Sequence, residues 1–355
     1  MTGHLILADG TKWTGVLHGA SGTAAGWLAA NTAVVGFQEM ATDPAYKGQI
    51  LAFTYPEIGS VGVAERFCES SGVQIAGMVV KVLSEYRSHY LAEDSLENLL
   101  AGAGAACLSG IDTRGLAVHL RENGEMPAAI APDDADLGKL GKTLSAMKRP
   151  HFRPTEPPVA AAGTGGVKLA VLDLGIRRSQ WQQIARCCRP AVFAHDAEAE
   201  EVLACKPAGI FVSDGPGAVL PPDRTVETLR ELLGKAPILA CGLGHVALGM
   251  ALGCKAEFLK RGHHGANYAV RNVTDGRAEV TQQRHSAALQ RDSVLASSTA
   301  ELLWENMTDQ TVEGIRAADS SAVGLQAILA APQPGAVNAH LVEFIEHLPG
   351  GRSRR

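Results

Sequence analysis

Long apolar runs and a targeting segment are absent from this sequence. No stretch reaches the roughly 18 consecutive apolar residues that a membrane-spanning helix requires. The N-terminus "MTGHLILADGTKW" has neither a basic start nor a cleavage site. A strong charge imbalance is also absent, since 32 basic and 37 acidic residues give a formal net charge of −5. We therefore expect a soluble, cytoplasmic protein that binds neither nucleic acid nor a membrane.

Cysteine spacing typical of metal sites is lacking as well. The seven cysteines are an odd number and lie scattered along the chain. The adjacent pair Cys187 and Cys188 is poorly placed to form a disulfide. This pattern predicts reduced, mostly buried thiols, and we expect no metal and no cofactor.

A proline-rich segment divides the chain. With 355 residues the sequence is long enough for two domains. The segment "RPHFRPTEPPVAAAGTGG" (149–166) predicts an extended linker between domains at 1–148 and 167–355. In the first half, Asp9-Gly10 between two apolar runs predicts a hairpin, and helical patterns follow at 95–102 and 114–122. The first domain is therefore expected to be mixed α/β.

The second half alternates apolar runs of strand length with helical patterns. It opens on "VKLAVLDLGIRRSQWQQIARCC" and continues through "PAVFAH", "AGIFVSDGPG" and "APILACG". This alternation predicts an α/β domain with a doubly wound, mainly parallel sheet, in which ligands bind beyond the carboxyl ends of the strands. The turns at 173–175, 213–217 and 241–245 are therefore the candidate site.

Long motifs in both halves resemble one family. The motifs are "NTAVVGFQEMATDPAYKGQILAFTYPEIGSVGV" (31–63), "GIDTRGLAVHLRENGEM" (110–126), "DLGIRRS" (173–179), "VSDGPG" (212–217), "CGLGHVALGMALG" (241–253) and "GHHGANYAV" (262–270). The first two resemble the N-terminal domain of the carbamoyl phosphate synthetase small subunit. The others resemble its class I glutamine amidotransferase domain.

The resemblance implies a chemistry and a partner. In this family a cysteine thiolate attacks the glutamine side-chain amide, a histidine transfers protons, a carboxylate orients the histidine, and backbone N–H groups hold the oxyanion. The ammonia passes to a large subunit, which uses ATP and bicarbonate to make carbamoyl phosphate. A large subunit of this type is therefore the expected partner.

The nucleophile position is the first departure from the family. Its motif reads Gly-Ile-Cys-Leu-Gly-His-Gln, and aligning Leu243-Gly244-His245 with it puts Gly242 at the cysteine and Val246 at the glutamine. Cys241 stands one residue early. Because successive side chains on a strand face opposite ways, we expect Cys241 to pack in the core rather than serve as a substitute nucleophile.

The base and the acid are the second departure. The family's Gln-Tyr-His-Pro-Glu segment aligns with "GLQAILAAPQPG" (324–335), which places Ile328 at the histidine and Ala330 at the glutamate. No His, Asp or Glu occurs between Asp319 and His340. His245 and His285 are expected to be structural, and His340 and His347 to lie on the surface of a terminal helix.

The glutamine contacts are partly changed. A substrate-binding serine of the family corresponds to Ala45, and a glycine that follows its Asn-His corresponds to Ser286. The Gly-Pro-Gly loop is kept, with Asp214 replacing an asparagine. The vestigial glutamine pocket would comprise Ala45, Gly215, Gly217, Leu243, Val246, His285 and Ser286.

Three hypotheses remain open from the sequence. In the first, the chain is a structural or regulatory partner of a synthetase-type large subunit and has no glutaminase activity. In the second, it is an independent binding or scaffold protein that reuses the old pocket or surface. In the third, it is an active glutaminase that uses Cys241 with a displaced base. Glutamine bound without turnover is a further ligand that the resemblance allows.

Overall fold

A computed structural model describes residues 1–154 and 165–351 of the chain. These residues form two compact units. The first unit comprises Met1–Pro150 together with Lys260–Gly265, and the second comprises the described residues of the remaining chain. The domains predicted from the sequence did not include this assignment of Lys260–Gly265 to the first unit. Their bounds, 1–148 and 167–355, stay a prediction. Most of the predicted linker, residues 155–164, lies outside the described residues.

The first unit is built on a closed seven-stranded barrel with short helices and a two-stranded sheet. The strands are β1 Thr2–Leu7, β2 Lys12–Gly19, β3 Ala24–Asn31, β4 Ile50–Phe53, β5 Glu57–Ile58, β6 Gly77–Val79, β7 Val82–Leu83, β8 Ala106–Ser109 and β9 Met126–Pro132. The helices are α1 Phe37–Ala41, α2 Leu96–Gly102, α3 Thr113–Asn123 and α4 Leu137–Ser145, and 3-10 turns lie at Pro44–Tyr46 and Glu65–Phe67. The barrel order is β1-β2-β8-β6-β4-β3-β9, and β5 pairs with β7.

Local sequence signals account for several of these elements. Strands β1 and β2 form an antiparallel hairpin, and Gly10 adopts a φ of 88° in its turn. The predicted hairpin is thus confirmed. The Ser95 side chain accepts from the N–H of Asn98 at the start of α2, and Asp112 does the same for Gly115 in α3. Such N-terminal caps explain why the predicted helices begin where they do.

The second unit contains the remaining strands and helices. Its strands are β10 Lys168–Asp173, β11 Arg189–Ala194, β12 Gly209–Val212, β13 Ile238–Cys241, β14 Ala256–Asn272, β15 Ala278–Leu289, β16 Ala300–Asn306, β17 Val312–Ala317 and β18 Ala322–Leu325. Its helices are α5 Arg178–Cys187, α6 Ala199–Ala204, α7 Asp223–Leu232, α8 Leu243–Ala251, α9 Arg291–Leu295 and α10 Ala339–His347. In the described parts of the chain, no helix is both long and apolar enough to cross a membrane.

The sheet of the second unit has nine strands in the order β11-β10-β12-β13-β18-β17-β16-β14-β15. The first five are mutually parallel. Strands β12 and β13, with the sequences GIFV and ILAC, are buried at every position. Continuous apolar strands of this kind are typical of a sheet covered on both faces, so the predicted α/β fold is confirmed. Antiparallel pairing of β16 and β17 with their neighbours extends the sheet beyond the parallel core.

Side chains of β13 alternate between two hydrophobic clusters, one on each face of the sheet. Ile238 and Ala240 pack in a cluster with side chains of α7 and α8. Leu239 and Cys241 pack in the other cluster, with side chains of α5 and α10. The alternation of a strand therefore fixes the face on which Cys241 lies.

The predicted linker should be the first site of proteolysis. Its first residue, Arg149, is held in the first unit, because Nη1 lies 3.5 Å from a carboxylate oxygen of Glu125 and the guanidinium lies 3.7 Å from the ring centroid of Trp27. Cleavage by a broad-specificity protease is therefore expected after Pro150, within 151–166, and should leave two protected fragments. N-terminal sequencing and mass spectrometry locate the cut. A first cut inside 167–260 would contradict the domain boundary.

Candidate functional site

The three predicted turns meet at the carboxyl edge of the parallel sheet. The N–H of Leu174, after β10, donates to Ser213 Oγ, after β12, at 2.9 Å. The N–H of Leu243 donates to Asp214 Oδ1 at 3.2 Å, which joins the turn after β12 to the turn after β13. These contacts link all three turns, so the residues predicted to form the site lie side by side, and their role as a site stays a prediction.

Gly242 forms the corner between β13 and α8. Its φ of 52° and ψ of −119° lie in a region that residues with a Cβ rarely adopt. Its N–H donates to the carbonyl of Leu325, the last residue of β18, at 2.9 Å. The chain thus makes a strand-to-helix elbow whose corner carries no side chain.

The Asp214 carboxylate fills the space beside this corner. Asp214 is 6% exposed, and its Oδ1 accepts from the N–H of Gly215 at 2.7 Å and of Leu243 at 3.2 Å. A Cβ placed on Gly242 would overlap the carboxylate. The carboxylate of Asp214 therefore occupies the volume that a side chain at the corner would need.

Two buried ionisable side chains, Asp214 and Arg177, determine the electrostatics at the elbow. Burial raises the pKa of the Asp214 carboxyl, while the positive charge of Arg177 and the two backbone N–H donors oppose this rise. Arg177 is itself buried, at 3% exposure, immediately before α5. Sequence reasoning did not connect Asp214 with Arg177. The signal that was available was Asp214 itself, an acidic residue that replaces an asparagine of the family beside Gly-Pro-Gly.

Cys241 lies in the core, as predicted. It is fully buried, and its Sγ accepts from Nε2 of Gln180 at 3.1 Å. Burial, with a smaller contribution from the nearby Asp214, raises the pKa of its thiol to about 12. The thiol is therefore protonated at neutral pH, whereas a cysteine nucleophile reacts as the thiolate.

Ile328 and Ala330 follow β18 and bring no titratable group to it. The N–H of Ile328 donates to the carbonyl of Gln282 at 3.0 Å, and the carbonyl of Ala330 accepts from Asn338 Nδ2 at 3.0 Å. Both residues line a cavity of about 300 Å³ in the second unit. Glu279, Glu313 and His340 also line it. Sequence reasoning missed Glu279 and Glu313 and did not bring His340 to them, because the three come from β15, β17 and α10, far apart in the chain.

Each candidate histidine has a structural environment. His245 is fully buried against Gly324, and burial lowers its pKa to about 3, so the ring is neutral. The ring nitrogens of His285 lie 3.0 Å from the Ala287 carbonyl and 3.2 Å from Gln283 Oε1. The structural role expected for both stays a prediction.

The two histidines of α10 differ from each other. His347 is exposed, as expected. His340 is not an open surface side chain, because its Nε2 lies 3.1 Å from Glu279 Oε2 and its ring packs edge-on against Trp304. The surface prediction for His340 is therefore corrected. An aromatic and a carboxylate from the sheet, neither visible in local sequence, cover it.

The remaining predicted pocket residues are mostly buried. The N–H of Ser286 donates to the carbonyl of Gly217 at 2.8 Å, and a Cβ on Gly217 would overlap the carbonyl of Arg284. Val246 is 1% exposed within α8. Ala45 belongs to the first unit, where its N–H donates to Asp43 Oδ1 at 2.8 Å. Glutamine binding by any of them stays a prediction.

Two family models match the chain. Residues 5–130 match the model for the CPSase domain of the carbamoyl-phosphate synthase small chain, and residues 170–327 match class I glutamine amidotransferase. Together they span both units, apart from the short ends and the segment between them.

Curated relatives align over most of the chain. A carbamoyl phosphate synthase small chain of Methanopyrus kandleri is 36% identical, over 92% of this chain and 93% of its own length. Small chains of Clostridium acetobutylicum and Symbiobacterium thermophilum are 33% and 37% identical, over 89% and 87% of this chain and 91% and 88% of their own lengths. A solved glutamine amidotransferase of Thermotoga maritima is 16% identical, with a TM-score of 0.37, over 51% of this chain and 81% of its own.

Cys241 should resist alkylation in the folded protein. Its thiol is fully buried and has a pKa of about 12, so the thiolate is scarce at pH 8. Cys205 is partly exposed and serves as the internal control. Iodoacetamide labelling followed by peptide mass spectrometry should modify Cys205 well before Cys241, and both in denaturant. Equal rates in the native protein would show that the thiol is accessible.

Gly242→Cys should destabilise the protein and give no glutaminase activity. The left-handed backbone costs a side chain about 1–2 kcal/mol, and displacing the buried carboxylate from its donors costs about 1–3 kcal/mol more. Ile328 and Ala330, which the sequence alignment predicts at the base and acid positions, would still carry no proton-transferring group. Denaturant unfolding and an ammonia-release assay measure the two effects. Appreciable ammonia release by this single variant would reveal a base that has been overlooked.

Proposed function

The chain belongs to the carbamoyl phosphate synthase small chain family, and from this premise we propose that it is a small subunit without glutaminase activity of its own. In this proposal it acts as a structural or regulatory partner of a synthetase-type large subunit in the cytoplasm. The large subunit makes carbamoyl phosphate from ATP, bicarbonate and free ammonia.

One observation carries the proposed loss of activity. The corner of the elbow is Gly242, and the Asp214 carboxylate occupies the space beside it. A nucleophile there would need both a side chain and room for the substrate's carbonyl, and neither is present. The elbow backbone itself still turns from β13 into α8 at this residue.

Use of Cys241 as a substitute nucleophile is disfavoured by its surroundings. Its side chain lies in the hydrophobic cluster formed with α5 and α10, and its thiol has a pKa of about 12. His245, one turn into α8, is neutral and has a pKa of about 3, which makes it a weak base. These two properties support an inactive site over an active one with a displaced nucleophile.

The retained aromatic motif at 36–56 supports the partnership only in part. Met40, Tyr46 and Phe53 are at most 3% exposed and belong to the core of the first unit. Of the aromatic residues in this segment, we therefore expect only Phe37 and Tyr55 to contribute to an interface with a partner. Their rings lie 6.1 Å apart, centroid to centroid, and Tyr55 is 41% exposed.

Further apolar side chains of the first unit are open to solvent. Val34 and Val35, just before α1, are 58% and 71% exposed. Tyr86 and Tyr90 are 79% and 87% exposed. Exposed apolar side chains that form a contiguous patch are typical of surfaces that a protein partner covers. A subunit role for the first unit requires that at least some of these side chains lie in such a patch.

Association with a large subunit tests the partnership. Co-expression with the large subunit of the same organism, followed by size-exclusion chromatography, should give one complex with an interface of roughly 1,600 Å² or more. Val35→Glu should weaken the complex without lowering the Tm of the free chain. Val118→Glu, at a 41% exposed position of α3, is the matched control. Two separate peaks at micromolar concentration would favour the independent binding protein instead.

The purified complex also tests the proposed nitrogen source. ATP-dependent synthesis of carbamoyl phosphate is expected with ammonium ion and not with glutamine, because the small subunit supplies no nucleophile at Gly242. The measurement is product formation at saturating glutamine, with ammonium chloride as the positive control. Glutamine-dependent synthesis at a comparable rate would overturn the proposal.

A further inference from the structure

We propose that the Asp214 carboxylate is a built-in occupant of an anion site at the elbow, and that Asp214 and Gly242 form a matched pair. The inference deepens the proposed function. It rests on that function in one respect, since the two backbone N–H groups are taken as the place where the family's chemistry holds an oxyanion.

The two donors converge on a single oxygen. Oδ1 of Asp214 accepts from Gly215 N at 2.7 Å and from Leu243 N at 3.2 Å. Leu243 is the first residue of the nine-residue helix α8, so its N–H carries the partial positive charge of a helix N-terminus. Two N–H groups aimed at one point in a buried site are the arrangement that stabilises an oxyanion. In this chain the group that accepts from both donors is the side chain of Asp214.

A buried positive charge reinforces the site. Arg177 is 3% exposed, and its charge acts on the Asp214 carboxyl. Removal of the Asp214 carboxyl would leave the N–H groups of Gly215 and Leu243 without the oxygen that now accepts from both. Buried donors that lose their acceptor are unfavourable. The emptied space should therefore bind a small carboxylate from solution.

The pairing with Gly242 is steric. A Cβ on Gly242 would overlap Oδ1 and Cγ of Asp214, so any larger residue there must displace the carboxylate from both donors. The family has asparagine and cysteine at these two positions, whereas this chain has aspartate and glycine. Substitutions at 214 and 242 should therefore be strongly coupled in their effect on stability.

Chemical rescue tests the built-in occupant. Asp214→Ala should melt below the wild type, and sodium formate should raise its Tm by several degrees more than sodium chloride of equal ionic strength. Wild type and Asp214→Asn should show no such difference, because their own side chains fill the site. Asp319→Ala, which removes an exposed carboxylate, controls for unspecific salt effects. Equal effects of formate and chloride on Asp214→Ala would overturn the proposal.

A second variant set serves if Asp214→Ala does not fold. Gly242→Ala should lower the Tm of the otherwise unchanged chain. The double variant Gly242→Ala with Asp214→Gly should melt above Gly242→Ala, because the overlap is removed. If the Tm of the double variant falls by the sum of the decreases measured for Gly242→Ala and Asp214→Gly alone, the two positions are independent. That result would overturn the matched pair.

The outcomes separate this inference from the proposed function. Glutamine hydrolysis by the wild type would overturn the proposed function, whatever formate does to Asp214→Ala. Failure of formate rescue would overturn the built-in occupant, whatever the chain's association with a large subunit.

Discussion

The backbone at Gly242 is the constraint on which the site depends. The chain must leave β13, make a corner and start α8 within one residue, and it does so at a φ of 52°. The corner is held from β18 by the hydrogen bond from the Gly242 N–H to Leu325. It turns the N–H of Leu243 toward the site, while the residue before it, Cys241, faces the opposite cluster. The conformation of Gly242 thus lets the Leu243 N–H face the site directly after a strand whose last side chain, Cys241, faces away from it.

Charge at the elbow follows from this geometry. Because the Leu243 N–H and the Gly215 N–H point at one place, an accepting oxygen is favoured there, and the Asp214 carboxyl supplies it. Burial raises the pKa of this carboxyl, and the two N–H donors oppose the rise. Burial also raises the pKa of the Cys241 thiol, to which the nearby Asp214 contributes.

Much of the second unit could be predicted from the sequence, because β10, β12 and β13 are short apolar runs followed by helical periodicity, and alternation alone placed Cys241. Features that depend on non-local contacts could not be predicted in the same way. Lys260–Gly265 lies in the middle of a strand of the second unit's sheet yet packs with the first unit. His340 contacts Glu279, which lies 61 residues earlier in the chain, and Asp214 contacts the corner residue Gly242, which lies 28 residues later. Local sequence patterns do not predict contacts between residues so far apart in the chain.

An elbow that presents a nucleophile keeps two sources of instability: a side chain in a left-handed conformation, and inward-facing donors that stay unfilled until a substrate arrives. Strained residues of this kind persist where function requires them, at a cost of about 1–3 kcal/mol. Under the proposed function neither source of instability serves catalysis. This chain lacks both, because the corner residue is glycine and the Asp214 carboxyl accepts from the inward-facing donors. Under the same proposal, Ile328 and Ala330 would place apolar side chains where proton transfer requires polar ones. In the first unit, Val35 is 71% exposed and Tyr55 is 41% exposed. Under the proposed function, side chains of this kind are the ones that a large subunit would cover.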